Sequence, residues 1–461
     1  MNRGPDGDSG RQAPTRLATV ASAFLVLCSA CSSSPPAPRQ TPYPSAPPVP
    51  TPLPSLTPRP TPAAGGLYVD ASQDLGAISP FAFGTNYGPL LFVPLQVQPA
   101  AAEARLTVLR YPGGNWGDNN DIDLWNLDQF VAFARQIGAE PYICVRLKGG
   151  TAQGAADLVR YANVVKGYAV RFWSIGNEPN LYSDYSVEQF NDDWRAWATA
   201  MQAVDPSILL IGPEVNQFYA NPSSDAERSQ ARWMTEFLSL NGDMVDIVSF
   251  HRYPFPRTFN GAPPTIADLR ADSPRWEESI IDLRSLVRSY AGRDLPIAVT
   301  EANSSWVPFS GGEAGLDTHF NAIWWGDSLG RMIRQGVFMV NQFGITSEWG
   351  LMSNYEVRPI YYVYKMYRQF GVERVAASSD DPDISVFGAR RADGALTVMV
   401  VHRGSTPVDR PLTLAGLEPP LSAETWLFDA DHPAEQIEPT VLGPSARVRF
   451  PPESMTLFVI R

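Results

Sequence analysis

The sequence predicts an α/β protein: a (β/α)8 barrel followed by a small β-sandwich. Two observations carry that prediction. From Gly65 onward, eight short apolar runs alternate with longer stretches of helical period. After Phe370 the helical period stops, and short strands separated by turn residues take over. A doubly wound open sheet is the competing architecture, but no Gly-x-Gly-x-x-Gly follows any early run.

Taken in order, residues 1–31 read as an address. Met1–Arg16 holds three arginines, and Leu17–Ala30 is apolar but short for a membrane span. Ser29-Ala30-Cys31 followed by a serine run is similar to a bacterial lipoprotein signal, which implies lipidation of Cys31 and a place outside the cytoplasm, on the cell surface or secreted. Cys28 stands where such signals prefer leucine. Residues 32–64 are dense in proline, threonine and serine, which predicts an extended spacer without a core. Residues 65–76 are expected to add a strand to the sandwich, 77–372 to form the barrel, and 373–461 to form the sandwich itself.

The eight barrel strands are predicted at Phe81–Tyr87, Leu106–Arg110, Glu140–Val145, Val170–Ile175, Leu209–Pro213, Val245–Phe250, Pro296–Thr300 and Val337–Phe343. Helices are predicted between them at Leu127–Gln136, Ala155–Val165, Val187–Val204, Ala231–Leu240, Trp276–Tyr290, Thr318–Gln335 and Pro359–Phe370, where apolar residues recur every three or four positions. Sandwich strands are predicted at Ile384–Arg390, Ala395–His402, Pro411–Leu414, Glu424–Phe428 and Met455–Ile460.

Composition narrows the function. With 44% hydrophobic and 18% charged residues the 461-residue chain has ample material for a core. A net charge of −12 makes nucleic acid and anionic membrane faces poor partners, so any membrane contact is expected only through the anchor at Cys31. Three cysteines exclude a disulfide framework and a cysteine zinc cluster, and 4 histidines argue against a histidine-rich metal site. Neither a metal nor an organic cofactor is expected, and the chain is expected to be a monomer.

In a barrel the chemistry sits at the C-terminal ends of the strands. Those ends hold Asn86, then Arg110 to Trp116, Arg146 and Lys148, Asn177-Glu178, Glu214, His251 to Tyr253, Glu301, and Gln342 leading to Trp349. Glu178 and Glu301 end strands four and seven, which face each other across the barrel axis. Glycoside hydrolysis needs such a pair of carboxyl groups, one protonating the leaving oxygen and one attacking or activating water. Asn177 is placed to bind a sugar 2-hydroxyl, His251 and Tyr253 to orient the nucleophile, and Trp116 and Trp349 to offer flat faces to sugar rings. Glu214 is the rival acid and reads as a sugar-binding group or an arginine partner. Arg110 reads as a sugar-binding group, a buried partner of the carboxylates, or both. Asp118 to Asp121 reads as a turn and helix cap rather than a calcium site.

Asn177-Glu178-Pro179 after an apolar strand, Thr300-Glu301 after Ile-Ala-Val, and Arg110-Tyr111-Pro112-Gly113-Gly114-Asn115 together resemble the clan A glycoside hydrolases, nearest to families 39, 44, 51 and 79. The resemblance runs from about Gly65 to the C-terminus. It implies a retaining enzyme acting on a poly- or oligosaccharide, with Glu178 as acid/base, Glu301 as nucleophile, and Arg110, Asn177, His251 and Tyr253 in support. Asn86, Asn115, Glu214 and Gln342 complete the expected substrate-binding set. Where many relatives carry an aromatic residue after the nucleophile, this chain has Ala302, with Trp306 four residues on. Two other readings compete: a carbohydrate-binding surface lipoprotein on an inactive barrel, and a phosphate-using barrel, for which no Gly-rich phosphate site is recognised after strands seven and eight.

Overall fold

The computed structural model describes residues 62–219, 222–255, 262–307, 311–353, 355–418, 420–443 and 446–461. The segment expected to be a leader, Cys31 and most of the proline-rich segment lie outside them. Eight parallel strands form a closed barrel: β2 (Phe81–Asn86), β3 (Val108–Tyr111), β4 (Glu140–Val145), β5 (Phe172–Ile175), β6 (Leu209–Asn216), β7 (Ile247–Arg252), β8 (Ile297–Ala302) and β9 (Met339–Gln342). β1 (Leu67–Ala77) precedes the barrel, and a short hairpin of β10 (Met352–Ser353) and β11 (Glu356–Val357) follows it. Each barrel strand overlaps its predicted run. Strands five, six and seven extend two or three residues past their predicted ends and carry Glu214, His251 and Glu301 within the sheet.

The floor of the barrel is an apolar layer of Phe81, Val108, Tyr142, Phe172, Ile211, Ile247, Ala298, Phe338 and Met339. Phe81 meets Phe172 edge-on at 4.9 Å between centroids. This plug leaves the upper barrel to polar side chains.

Polar side chains start the helices around the barrel. Asp123, Thr151, Ser186 and Thr318 each accept a hydrogen bond from the backbone N–H three residues on. Ser224 and Thr265 form reciprocal capping boxes with Glu227 and Asp268. The Thr265 box starts a helix at Ile266, ten residues before the predicted Trp276. Pro274 lies inside this helix, and the proline hides the helical pattern of its first turns. The predicted helix Ala155–Val165 starts at Ala152, and from Arg160 to Val165 it is a π-helix.

β1 joins eight C-terminal strands: β12 (Glu373–Ser379), β13 (Ile384–Arg390), β14 (Leu396–His402), β15 (Val408–Ala415), β16 (Leu421–Phe428), β17 (Glu435–Leu442), β18 (Ala446–Phe450) and β19 (Ser454–Ile460). All nine are hydrogen-bonded in the order β17-β16-β19-β14-β13-β12-β1-β15-β18. β1 runs antiparallel to β12 and parallel to β15. One face encloses Leu67, Val69, Val386, Val398, Leu412, Phe450 and Phe458. Alternate residues, among them Phe387, Met399, Met455 and Leu457, join the core shared with the barrel.

The contact between the two parts runs along the helix His319–Arg334, whose residues from Phe320 to Ile333 are all buried. Gly326 and Gly330 permit the approach: a Cβ at Gly330 would lie 2.4 Å from the Phe387 ring, and one at Gly326 would lie 2.5 Å from Met455 Sδ. Asp327, fully buried, accepts from Arg331 at 3.0 Å and lies 3.3 Å from Arg403 of the sandwich. Among the described residues, no helix is long and apolar enough to cross a membrane.

Removing one partner of a buried ion pair leaves an uncompensated charge. Asp327→Ala is expected to cost about 3–5 kcal/mol and to appear as a lowered Tm in calorimetry. An unchanged Tm would mean that Arg331 and Arg403 do not depend on this carboxylate.

Candidate active site

Arg110 stands on β3 with its side chain completely buried. One guanidinium nitrogen donates to Asn86 Oδ1 at 3.0 Å and to Glu301 Oε1 at 2.7 Å. The other donates to Asn177 Oδ1 at 2.9 Å and lies 2.7 Å from Glu214 Oε2. One side chain thus ties the ends of five barrel strands.

Glu214 sits at φ 60°, a conformation non-glycine residues rarely adopt. It is wholly buried, and Tyr142 Oη donates to its Oε1 at 2.8 Å. Burial pushes its carboxyl up, but Arg110 and His251 outweigh burial and hold it at about 2. Glu178 is also left-handed, at φ 48°, and its backbone N–H donates to Glu214 O at 2.9 Å. Gly176 at φ 77° makes the turn before it, where a Cβ would lie 2.8 Å from Leu147 Cβ. Asn180 and Asn216 lock the two loops together through bonds of 3.1 and 2.8 Å.

His251 lies between three carboxylates. Its Nδ1 is 3.0 Å from Glu178 Oε1 and 3.6 Å from Glu301 Oε2, and its Nε2 is 3.2 Å from Glu214 Oε2. Burial lowers the imidazole, but Glu301, Glu178 and Glu214 raise it to about 10. Both ring nitrogens therefore donate, as only an imidazolium can.

Three donors converge on Glu301. Arg110 and the Gly114 N–H (3.1 Å) reach Oε1, and Tyr253 Oη donates to Oε2 at 2.8 Å. Burial, together with Glu301 and Glu178, pushes the Tyr253 hydroxyl well above its ordinary value, so it remains a donor. Glu178 is held on one side only: Asn216 Nδ2 donates to Oε1 at 2.7 Å, beside His251. No hydrogen bond from a described residue reaches Glu178 Oε2.

Glu178, His251 and Glu301 each offer a ligand atom within 4.8 Å of the others, a spacing that would also suit a cation. Arg110 and the protonated His251 already supply positive charge there, so the cluster reads as a charge-compensated network rather than a metal site.

No family model matches the chain. Over 158 residues it is 28% identical to the probable α-L-arabinofuranosidase C of Aspergillus niger, covering 25% of this chain and 31% of that one. Over 192 residues it is 26% identical to the intracellular exo-α-(1→5)-L-arabinofuranosidase of Halalkalibacterium halodurans, covering 33% and 37%. The chain thus spans about a third of the length of these curated relatives. Among solved structures, the α-L-arabinofuranosidase of Thermotoga maritima in its arabinose complex superposes with a TM-score of 0.69 at 18% identity, covering 86% of this chain and 99% of that one. The family 44 xyloglucanase of Paenibacillus polymyxa superposes with a TM-score of 0.67 at 16% identity, covering 86% and 99%. The fold is that of the clan A glycoside hydrolases. At these identities the likeness of structure is one of fold.

Within that fold, the structure gathers Asn86, Arg110, Asn115, Asn177, Glu178, Glu214, His251, Tyr253 and Glu301 into one network. Asn115 Oδ1 accepts from Asn177 Nδ2 at 2.9 Å. Of the two sequence readings of Glu214, the structure places it as the arginine partner. Asn86 and Arg110 are likewise closed to solvent, and Asn86 Nδ2 also donates to Thr300 O at 3.1 Å. These three hold the site together instead of facing a ligand. Gln342 does the same for its own loop, donating to Phe343 O at 2.7 Å and Trp349 O at 2.8 Å. Trp349 stands edge-on to Phe343 at 5.8 Å. Trp116 is half-buried and opens the short helix Trp116–Asn119.

Sequence reasoning gave no role to Tyr142 or Asn216, held Gly114 only as part of the Arg110–Asn115 motif, and read Asp118 as part of a turn and helix cap. Asp118 does not simply cap a turn: it is buried, and its Oδ1 accepts from the Asn177 N–H at 3.2 Å. Burial raises its carboxyl to about 7, against hydrogen bonds from Tyr182 and Asn177 that lower it.

Because the carboxyl of Glu214 is lowered on folding from 4.5 to about 2, its stabilising contribution is full above pH 4.5 and is lost as pH falls through about 2. Glu214→Gln is therefore expected to cost about 3–5 kcal/mol at pH 7, and the gap to wild type should narrow in acid. Urea unfolding at pH 7 and pH 3 checks this; a gap independent of pH would contradict the ionised pair.

Proposed function

We propose that this protein is a glycoside hydrolase that cleaves an O-glycosidic bond with retention of configuration, using Glu178 as acid/base and Glu301 as nucleophile. The proximity of the two carboxyl groups carries this reading: one oxygen of each lies within 4.8 Å of the other. A double displacement has carboxyl groups about 5–5.5 Å apart, and an inverting site needs about 6.5–9.5 Å to admit a water.

The roles follow from what surrounds each group. Three carboxylates, Glu178, Glu214 and Glu301, face two cations, Arg110 and His251. The cluster balances when one carboxyl group carries a proton. Glu214 and Glu301 each contact Arg110, whereas Glu178 has no arginine and keeps Oε2 open. Glu178 is therefore the group placed to hand a proton to the leaving oxygen, and Glu301 the one held in place to attack. An oxygen of Glu301 attacks the anomeric carbon while Glu178 protonates the glycosidic oxygen, so the C–O bond breaks and the leaving alcohol departs. A covalent glycosyl ester on Glu301 remains. Glu178, now ionised, takes a proton from water, which attacks the same carbon and frees Glu301. Tyr253 and Arg110 keep the attacking carboxylate oriented throughout.

The substrate is a poly- or oligosaccharide. Arabinofuranosides come first for testing, because the curated relatives matching part of the chain are arabinofuranosidases. Glu301→Ala and Glu178→Ala are each expected to lose about 10²–10⁴-fold in kcat on aryl glycosides. Added azide should restore Glu178→Ala with a retained glycosyl azide and Glu301→Ala with an inverted one. Proton NMR of the first-formed sugar should show the substrate's own anomer. Undiminished activity in Glu301→Ala, or an inverted first product from wild type, would overturn the assignment.

The leader supports export and an anchor at Cys31. In detergent phase partitioning the full chain is expected in the detergent phase and Cys31→Ala in the aqueous phase. Identical partitioning of the two would remove the anchor.

A further inference from the structure

Five aromatic side chains among the described residues are exposed: Phe92, Trp125, Tyr290, Trp306 and Tyr355. Four of them share one end of the barrel. Phe92 follows β2, Trp125 lies in the first turn of the helix Leu124–Gln136 between β3 and β4, Trp306 follows β8, and Tyr355 sits in the hairpin turn after β9. The barrel closes β9 onto β2, so these four connections are consecutive around its mouth. The connections after β4 to β7 expose Leu181 but no aromatic ring among the described residues. Tyr290 lies at the far end of the helix Ile266–Ala291.

Two members of the half-ring, Trp306 and Phe92, are on loops tied to the surroundings of the carboxylates. Tyr253, bonded to Glu301, stands 6.5 Å from Phe343, and Phe343 stands 5.8 Å from Trp349. Trp349 Nε1 donates to Trp306 O at 2.8 Å, and Thr346 Oγ1 donates to Phe92 O at 3.0 Å. Aromatic side chains thus lead from the reacting centre to the rim, and side-chain bonds to backbone link neighbouring loops. Phe92, Trp125 and Tyr355 are 60%, 67% and 65% exposed, so their ring faces are open to a ligand.

We propose that this aromatic half-ring is a platform for a neutral polysaccharide, which it binds along several sugar units leading away from the Glu178–Glu301 centre. The inference rests on the hydrolase reading for its direction, but the surface itself can be tested without hydrolysis. The C–H face of a sugar ring covers an aromatic face while its hydroxyls stay in water, and a chain of such rings matches separated aromatic side chains better than one packed apolar plug does. The net charge of −12 disfavours an anionic chain or lipid surface as the occupant.

The test compares Glu301→Gln with the same protein carrying Phe92→Ala, Trp125→Ala and Tyr355→Ala together. Affinity electrophoresis would use gels holding arabinan, xylan or xyloglucan. At least one polymer is expected to retard Glu301→Gln, and the triple change should weaken that retention about tenfold or more at an unchanged Tm. With Glu301 restored, the triple change should lower kcat/KM on that polymer about tenfold more than on an aryl glycoside. Equal retention with and without the rings overturns the platform, as does an absence of retention on all three polymers or an equal loss on polymer and aryl glycoside. If wild type releases no sugar while retention still depends on the rings, the hydrolase reading fails and the binding surface stands.

Discussion

A guanidinium with no access to water organises this molecule. Arg110 is charged under all ordinary conditions, and leaving such a charge unpaired in a protein interior would cost several kcal/mol. Glu214 and Glu301 supply the opposite charge, each with an oxygen 2.7 Å away. The planar fork of arginine fixes where those oxygens must be, and Asn86 and Asn177 take two of its remaining donors. The positions of the strand ends follow from this. β2, β3, β5, β6 and β8 all end in groups that Arg110 needs, or in Arg110 itself, so the barrel mouth is braced by electrostatics where the sheet's own hydrogen bonds stop.

That brace lets the chain hold two unfavourable backbone conformations side by side. Glu178 and Glu214 are both left-handed, a state costing of order 1–3 kcal/mol per residue. A direct backbone bond between them and the paired amides of Asn180 and Asn216 offset this cost. The reward is orientation. Glu178 points one oxygen at Asn216 and His251 and leaves the other open, which an extended backbone running on from β5 would not achieve.

The eight barrel strands and the glutamates at the ends of strands four and seven were legible because period and strand-end position are local properties. Other features lay beyond local reading. β17 is mostly exposed and contains Pro439, so it shows no alternation, as an edge strand need not. β12 buries small and polar residues such as Ala376, Ala377 and Ser378, which give a weak apolar signal. The helix at Ile266 was hidden by Pro274, although its capping pair Thr265 and Asp268 was a sequence signal that could have revealed it. Asp118 and Tyr142 belong to the network through contacts 59 and 72 residues distant in sequence, and no spacing rule reaches that far. The two available readings of Glu214 differ only in whether the side chain sees solvent, which is a property of the assembled barrel.

The sandwich reaches the site through the two helices that follow β7 and β8. The helix His319–Arg334 is buried against β13, β14 and β19, so it cannot shift without opening that interface. Trp324 on this helix donates through Nε1 to Asp272 Oδ2 at 3.1 Å, and Asp272 holds both guanidinium nitrogens of Arg252 at 3.1 and 2.5 Å. Arg252 also lies over the Trp276 ring at 4.4 Å and directly follows His251 in β7. A continuous chain of buried contacts therefore runs from the sandwich to the residue beside His251, whose imidazolium must stay between Glu178 and Glu214. Positioning of that order is worth more to catalysis than any single added contact, since an error of about 1 Å in such a group costs about 10²-fold in rate. On this argument the sandwich acts as a backstop for the wall of the barrel that carries His251 and Glu301, while the aromatic side chains stand on connections that include the one after Glu301 and continue around the mouth past β2.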